Sequence, residues 1–225
     1  MRPEQTILAF DTSAAHCAAA LLVDDRIVDE RVEQMAKGQA EHLLPLLNEM
    51  LIGAGFDWKS LDGIAVGTGP GNFTGIRIAV AAARGLSLGL NVPAIGIDGL
   101  RARAFRMVGP VRAAVSAPRG ELYVQDFDSE IPVSAARICK ADEAWPVAAV
   151  DGHRLRIPVG DGWPAPPTGR DDLWIGLGTV GAYVCAIAHI AFREWSSIPR
   201  PRPAPFYLRG ADAAPSADPP PRILP

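Results

Sequence analysis

The stretch Gly-Thr-Gly-Pro-Gly-Asn-Phe-Thr-Gly, at residues 67–75, constrains the fold of this chain more than any other segment. It follows a short apolar run, Gly63 to Val66, and precedes an apolar segment rich in alanine, Ile76 to Leu88. Asn72 is suited to cap a helix there, because its side-chain oxygen can accept a backbone N–H two or three residues on. The pattern predicts a strand, a tight turn and a helix whose small residues let another backbone come close.

The apolar runs around this turn predict the order of the other elements. Thr6 to Phe10, Cys17 to Val23 and Ile27 to Val32 are separated by short turns, which predicts three consecutive strands. An amphipathic helix follows from Gln39, and Val92 to Ile97 supplies a further strand. The order strand, strand, strand, helix, strand, helix, strand is typical of a ribonuclease-H-like α/β domain.

A second α/β half is predicted to follow the first. Its strands are expected at Ala113 to Ser116 and Glu121 to Phe127, and an apolar helix is expected near Val180 to Trp195. After Ile198 the chain is rich in proline, which predicts an extended and then disordered end. The predicted units are an amino-terminal domain, residues 1–108, a carboxyl-terminal domain, residues 109–210, and a disordered tail, residues 211–225.

Charge and cysteine content limit the kinds of partner and compartment. The 22 lysines and arginines are outnumbered by 25 acidic residues, which gives a net charge of -3. The broad positive field of a nonspecific nucleic-acid binder is therefore missing, and we expect any RNA contact to be local or made through a partner. Cys17, Cys139 and Cys185 form no CxxC pair, which favours a reducing cytoplasm over a disulfide framework or a zinc site.

The uncharged segment from Ile175 to Phe192 is close to the length that spans a bilayer. It contains three glycines and His189, is richer in alanine than in leucine, and is flanked by charged residues. We predict a buried helix of a cytoplasmic protein and no membrane contact. The amino terminus shows no pattern of a secretory signal.

Known phosphate-binding motifs do not fit the glycine-rich stretch. A P-loop requires Gly-Lys-Ser or Gly-Lys-Thr beginning five residues after its first glycine, and the position five after Gly67 is Asn72, with no lysine nearby. A dinucleotide fingerprint starting at Gly67 would require glycine at the same position. We favour a tight crossing that lets two layers or two chains pack, with an anion-binding turn as the alternative.

Asp11, Thr12 and Ser13, directly after the first predicted strand, are similar to the phosphate-facing turn of sugar kinases and actin-like ATPases. Those enzymes add a second carboxylate in the other half, which holds the metal. The corresponding turn here, Ser116 to Gly120, contains none, so we favour a turn-capping role for Asp11. The residues that remain as a vestigial nucleotide-facing set are Asp11, Thr12, Ser13, Gly69 and Gly71.

No other constellation indicates catalysis or metal binding. The four histidines lie far apart, and neither an HExxH motif nor a GxSxG elbow is present. We predict no catalytic residue, no metal site and no cofactor. A Ser/His/Asp arrangement stays open on residue types alone.

The two predicted amino-terminal helices offer a surface for a partner. Leu43, Leu46, Leu47 and Met50 form a wide apolar stripe, and alanine and glycine form a narrow face on the next helix. Either face could pack on its own sheet. Surplus apolar area could instead mark a partner surface, and the pattern leaves both readings open.

Six motifs, in the same order along nearly the whole chain, resemble one known family: the TsaB or YeaZ proteins of the tRNA threonylcarbamoyladenosine pathway, formerly grouped with glycoprotease or peptidase M22-like proteins. The longest is GTGPGNFTGIRIAVAAARGLSLG at Gly67 to Gly89. The others are ILAFDTS at Ile7 to Ser13, EHLLPLL at Glu41 to Leu47, RGELYVQDF at Arg119 to Phe127, VGDGW at Val159 to Trp163, and PFYLRGADA at Pro205 to Ala213.

This resemblance implies a fold of two tandem actin-like (ASKHA) domains, the second smaller and degenerate. It implies a subunit without chemistry of its own, which binds the catalytic paralog TsaD and works with the ATPase TsaE. The implied substrate, tRNA, is contacted only through the complex, and the chain alone is expected to form a homodimer. The alternatives are an actin-like ATPase or kinase and an M22-type peptidase, the latter suggested only by the family's older name.

The resemblance also implies that the first two helices form the shared interface. The residues it assigns to that interface are His42, Leu43, Leu46, Met50, Ile76, Ala79, Val80 and Ala83. This chain departs from the family at Ser116, where an aspartate is usual, and at Pro118, where an arginine is usual. These departures argue against a nucleotide-linked role of that turn.

Overall fold

The computed structural model describes residues 5–144, 157–161, 179–195 and 201–209. These residues form two five-stranded sheets and four α-helices. The first sheet contains β1 (Thr6–Asp11), β2 (His16–Val23), β3 (Arg26–Gln34), β4 (Gly63–Gly67) and β5 (Ala94–Ile97). The second contains β6 (Pro110–Ala117), β7 (Glu121–Asp128), β8 (Ile131–Pro132), β9 (Arg137–Lys140) and β10 (Ile157–Gly160). The helices are α1 (Gln39–Gly53), α2 (Phe73–Leu90), α3 (Gly99–Arg103) and α4 (Val180–Arg193).

The first sheet has the strand order β3-β2-β1-β4-β5. β1, β2 and β3 pair antiparallel through short turns, whereas β1, β4 and β5 run parallel and are connected through α1 and α2. Parallel neighbours need such a crossover, because a short turn cannot return the chain to the same end of the sheet. The mixed α/β class and the predicted order of elements in this half are therefore confirmed.

Helices cover both faces of the first sheet. α1 and α2 pack on one face, where Leu8 and Phe10 meet Leu46, Met50 and Ala83 in one core cluster. α4 packs on the other face, against β1 and β2, with nine buried residues. Its many alanines allow the helix backbone to lie close to the sheet. The contacts of α4 cross the division proposed at residue 108, and the domain bounds stay a prediction.

The second sheet has the order β10-β6-β7-β8, with β9 also paired to β7. β10 lies parallel to β6, and the other pairs are antiparallel. Val111, Val115 and Phe127 build its core together with Leu100 of α3. The strands predicted within β6 and β7 are confirmed, and the tail predicted at residues 211–225 lies outside the described residues.

The apolar segments that matched a bilayer in length are packed on the sheet. Residues 180–192 of the predicted buried segment form most of α4, and its residues 175–178 lie outside the described ranges. Among the described helices, only α2 is long and apolar enough to cross a membrane. It buries Ala79 and Ala83 against the sheet and carries Arg77 and Arg84, so its composition is weak support for a span.

Residues 201–209, which we name the strap, form neither helix nor strand and lie against the first half of the chain. The Phe206 backbone N–H donates to the carbonyl oxygen of Thr68 at 2.8 Å, and Arg84 Nε donates to the carbonyl oxygen of Pro203 at 2.7 Å. Arg209 then pairs with Glu121 of β7. The strap therefore connects the glycine-rich turn and α2 to the second sheet.

Candidate functional site

Asp11 ends β1 as a fully buried carboxylate with a complete set of partners. Its Oδ1 accepts hydrogen bonds from the backbone N–H and hydroxyl of Ser13, at 2.9 and 2.8 Å, and lies 3.0 Å from His16 Nε2. Its Oδ2 accepts from the Tyr183 hydroxyl at 3.2 Å. Burial alone would raise the pKa of Asp11, but the hydrogen bond and charge of His16 and the donors of Ser13 hold it below its ordinary value.

The turn after β1 is pressed against the glycine-rich turn. Thr12 Oγ1 donates to the carbonyl oxygen of Gly75 at 2.7 Å, and the Asn72 N–H donates to the carbonyl oxygen of Ser13 at 2.6 Å. A β-carbon on Gly75 would overlap the carbonyl oxygen of Thr12, and one on Gly71 would overlap that of Ser13. The glycines therefore serve a close backbone crossing between two layers of the same chain, as the sequence indicated.

The predicted helix cap at Asn72 is present. Its side-chain oxygen accepts the N–H of Gly75 at 2.9 Å, which satisfies one of the amides left free at the start of α2. The cap fixes where α2 begins relative to the turn, and so it holds Gly71 and Gly75 in register with Thr12 and Ser13.

A cleft of about 730 Å³ opens beside this crossing, between the two halves and the strap. Ser13, Gly71, Asn72 and Thr74 line one side, and Ser116, Pro118, Tyr123 and Arg209 are among the residues opposite. None of the described lining residues is Asp, Glu, His, Cys or Lys. Within the vestigial nucleotide-facing set, Ser13 and Gly71 reach the cleft, whereas Asp11, Thr12 and Gly69 are not among the residues that line it.

A carboxylate that the sequence did not point to lies against the turn of the second half. Asp161 Oδ1 accepts the N–H of Ser116 at 2.8 Å, and its Oδ2 accepts from Arg103 Nη2 at 3.1 Å. The guanidinium carbon of Arg103 lies 4.3 Å from the ring centre of Tyr183. Ser116, Asp161, Arg103, Tyr183 and Asp11 thus form a polar chain between the two sheets.

Both carboxylates of this polar chain, Asp11 and Asp161, already accept hydrogen bonds from neighbouring groups of the protein. Burial and the charge of Asp11 raise the pKa of the Tyr183 hydroxyl well above its usual range, so this group stays a proton donor. Burial alone would lower the pKa of Arg103, but the charge and hydrogen bond of Asp161, together with Tyr183 and Asp11, raise that pKa. Sequence separation hid the Asp161 contact, and its only local signal is the Gly-Asp-Gly motif at residues 160–162.

Seven of the eight residues predicted for the partner interface are buried within their own chain, which corrects their assignment. Each exposes at most 3% of its surface, and all but Ile76 and Val80 belong to the core cluster between the first sheet and its two helices. The seven are Leu43, Leu46, Met50, Ile76, Ala79, Val80 and Ala83. His42 alone is partly exposed, and its Nε2 lies 2.5 Å from Glu33 Oε2. A side chain covered by its own sheet has no area left for a partner.

The outward faces of α1 and α2 nevertheless carry apolar side chains. Leu44 and Ile52, two turns apart on α1, are 47% and 67% exposed. Ala81 and Gly85, one turn apart on α2, are also exposed, and α1 and α2 lie next to each other. We name Leu44, Ile52, Ala81 and Gly85 the outer helix face.

Metal ligands do not converge among the residues that the structure describes. No group of three His, Cys, Asp or Glu side chains is close enough to hold an ion there. His16 is committed to Asp11, and His189 Nδ1 lies 2.7 Å from Asp25 Oδ1. His153 lies outside the described ranges.

The fold and the site define a mixed α/β protein with a glycine-rich crossing beside a cleft whose described lining residues include no carboxylate. A family model described as "TsaD: tRNA N6-adenosine threonylcarbamoyltransferase" matches residues 31–150. The TsaB protein of Buchnera aphidicola subsp. Schizaphis graminum is 31% identical over 170 residues, which cover 70% of this chain and 79% of that protein. This chain belongs to the TsaB family, also called YeaZ.

Other relatives and solved structures agree with this assignment. TsaB of Escherichia coli K12 is 34% identical over 129 residues, so the match spans 55% of this chain and 55% of that protein. TsaB of Haemophilus influenzae is 28% identical, covering 91% of this chain and 93% of that protein. The structure titled "YeaZ from Pseudomonas aeruginosa" superposes with a TM-score of 0.67 at 25% identity, covering 91% of this chain and all of that one. A second Pseudomonas aeruginosa structure, described as similar to peptidase YEAZ, has a TM-score of 0.72 at 26% identity, with the same coverage of both chains.

Proposed function

We propose that this chain is a non-catalytic accessory subunit of the complex that makes threonylcarbamoyladenosine in tRNA. The relatives in three bacteria are each named "tRNA threonylcarbamoyladenosine biosynthesis protein TsaB". In this proposal the chain binds and activates the catalytic paralog TsaD, the ATPase TsaE acts with the pair, and the complex works in the cytoplasm. The tRNA is then modified by TsaD and not by this chain.

The observation that carries the proposal is the chemistry of the cleft wall. Transfer of an acyl or phosphoryl group needs a general base, a nucleophile or metal ligands within reach of the reacting atoms. The described walls offer hydroxyls, amides, aromatic rings and Arg209, and Asp11 lies behind them with both oxygens occupied. The composition of the described cleft wall favours an accessory subunit over an enzyme.

The outer helix face is the proposed docking surface for TsaD. The match of this chain to a TsaD family model indicates that the two proteins share a fold, so a TsaD partner would present a similar pair of helices. Two such pairs can meet about a pseudo-twofold axis, as identical copies do in an isologous dimer. The same surface then accounts for the expected homodimer of the chain alone, to which the exposed Leu44 and Ile52 would contribute apolar area.

Co-purification tests this proposal directly. We expect the wild-type chain to co-elute with TsaD from the same genome, and depletion of the chain to lower threonylcarbamoyladenosine in total tRNA, measured by nucleoside mass spectrometry. Separate elution together with unchanged nucleoside levels would reject the accessory role.

A nucleotide-binding ATPase or kinase is the second candidate. The cleft volume, with Ser13 and Gly71 on its wall, is the observation that favours it, because pockets of a few hundred Å³ or more accommodate small ligands. Calorimetry with ATP and Mg²⁺ at millimolar concentration separates the two candidates. The accessory role predicts no heat of binding, and stoichiometric binding followed by hydrolysis would favour the enzyme.

A further inference from the structure

We propose that one flank of α2, together with the strap, contacts the phosphate backbone of tRNA in the assembled complex. The residues of this surface, which we name the arginine ridge, are Arg77, Arg84 and Arg202, with Phe73 and Tyr207 beside them. The inference rests on the proposed function, because tRNA is the substrate of that proposed complex. It adds the surface of this chain that the tRNA touches.

The ridge is a local exception to the acidic composition of the chain. Among 25 acidic residues in the sequence, none falls within residues 63–97 or 201–209, the two segments that build this side of the molecule. The acids that flank the first segment are occupied: Asp62 accepts the N–H of Thr6, and Asp98 accepts that of Leu100. The positive potential here is therefore not neutralised by neighbouring carboxylates along these segments.

Each helix arginine is held by the strap through its Nε atom. Arg84 Nε donates to the carbonyl oxygen of Pro203 at 2.7 Å, and Arg77 Nε donates to the Tyr207 hydroxyl at 3.1 Å. Among the described residues, no carboxylate forms an ion pair with Arg77, Arg84 or Arg202. A guanidinium fixed at Nε presents its two terminal nitrogens as a fork that matches phosphate oxygens.

The spacing of the ridge suits a polymer with repeated charges better than a single small anion. Arg77 and Arg84 are seven residues apart on one flank of α2, a rise of about 10 Å. A groove of about 680 Å³ opens between Arg84 and Arg202, with Asn91 as a further polar side chain on its wall. Asparagine and arginine side chains are common donors to phosphate oxygens.

Aromatic rings lie at the amino-terminal end of the ridge. The Phe73 and Tyr207 ring centres are 4.8 Å apart, and Arg77 lies 3.8 Å above the Phe73 ring. Tyr207 is 40% exposed, so part of its ring remains accessible to a nucleic-acid base. Arginines beside exposed aromatic rings are typical of surfaces that bind unpaired nucleotides. This combination favours RNA over an acidic protein segment.

Salt-dependent binding of tRNA to the complex of this chain with TsaD tests the ridge. We expect Arg202→Gln and Arg84→Gln each to reduce the slope of log Kd against log salt by about 1, and the double variant by about 2. Arg202 is the cleaner site, because Arg84 also bonds the strap. Arg26→Gln is the matched control, since β3 and β5 are opposite edges of the first sheet and Arg26 lies on β3.

Three results would overturn the inference. Unchanged salt slopes in complexes that still assemble would show that the arginine ridge does not bind tRNA, and they would leave the accessory role intact. Weakened co-elution with TsaD at unchanged tRNA affinity would identify the ridge as a protein contact instead. Failure of the wild-type chain to bind TsaD at all would reject the proposed function, and this inference with it.

Discussion

Thr12 and Gly75 are in direct contact where the two turns of the first half cross. The Thr12 hydroxyl donates to the Gly75 carbonyl at 2.7 Å, and the Thr12 carbonyl occupies the space where a β-carbon of residue 75 would lie. Both partners in this crossing are backbone segments anchored in the sheet and in α2, so neither can move aside easily.

Gly75→Ala is therefore expected to destabilise the chain by about 3 kcal/mol or more, because the added methyl overlaps backbone and not a flexible side chain. Gly85→Ala is the matched control on the same helix, where a β-carbon meets nothing within 4 Å. It should raise stability by about 0.5–1 kcal/mol through helix propensity. Urea unfolding of both variants measures the difference, and equal midpoints would contradict the tight crossing.

The buried Asp11 carboxylate predicts a dependence of stability on acid. Its folded-state pKa lies below the ordinary value of 3.8, so the stability it contributes is present above that pH and is lost as the pH falls below it. We expect Asp11→Asn to be less stable than wild type at neutral pH. It should also lose less of its remaining stability between about pH 5 and about pH 3.

Urea unfolding at several pH values measures this dependence, with Asp128→Asn as an exposed carboxylate control. Parallel curves for wild type and Asp11→Asn would show that another group causes the acid loss. Tyr183→Phe removes the Oδ2 donor alone and should cost about 1–3 kcal/mol at neutral pH.

The two faces of α1 predict opposite phenotypes for the same kind of substitution. Leu46→Glu places a charge in the core beneath the helix and is expected to unfold the chain, at a cost of about 3 kcal/mol or more. Ile52→Glu is expected to leave the thermal midpoint nearly unchanged, while it weakens association by roughly tenfold or more, because the charge is desolvated only in the interface.

Analytical ultracentrifugation of the chain alone, and co-elution with TsaD, read out association for these variants. Circular dichroism reads out folding of the same samples. If the Ile52→Glu protein is folded and associates as wild type does, the docking surface lies on another part of the molecule.

Asp161 and Arg103 are expected to hold the turn after β6 in place. Asp161→Ala removes the acceptor of the Ser116 N–H, so hydrogen exchange of that amide should speed up by roughly tenfold or more. Exchange at Asn72 should stay unchanged, because its N–H donates to Ser13 and both residues lie in the first half of the chain. Mass spectrometry of peptides that cover both amides checks this. Equal acceleration at both sites would indicate general destabilisation instead.

Local patterns in the sequence predicted most elements of the first half, because strand alternation, helix periodicity and the Asn72 cap depend on near neighbours. The tight crossing was also predictable, since four glycines between a strand and a helix leave few other uses. Residues 201–209 contain neither helix nor strand, and the extended form predicted after Ile198 stays a prediction.

Long-range choices were not predictable from the same patterns. The stripe of Leu43, Leu46 and Met50 has the width of a partner surface, yet the first sheet covers all of it, and the exposed large apolar residues of α1 are Leu44 and Ile52. Periodicity identifies a face but not what lies opposite to it. The contact of Asp161 with Ser116, 45 residues away, likewise depends on how β10 pairs with β6.

The position of α4 has a consequence for the order in which the protein matures on the ribosome. Residues 180–193 shield one face of a sheet whose strands all come from residues 6–97. During synthesis, Ile7, Ala18 and Leu22 on that face stay exposed to water, or bound to a chaperone, until the final fifth of the polypeptide emerges. Nascent chains halted before α4 should therefore be prone to aggregation and sensitive to protease, even though the strands of the first sheet and the first two helices are fully synthesised.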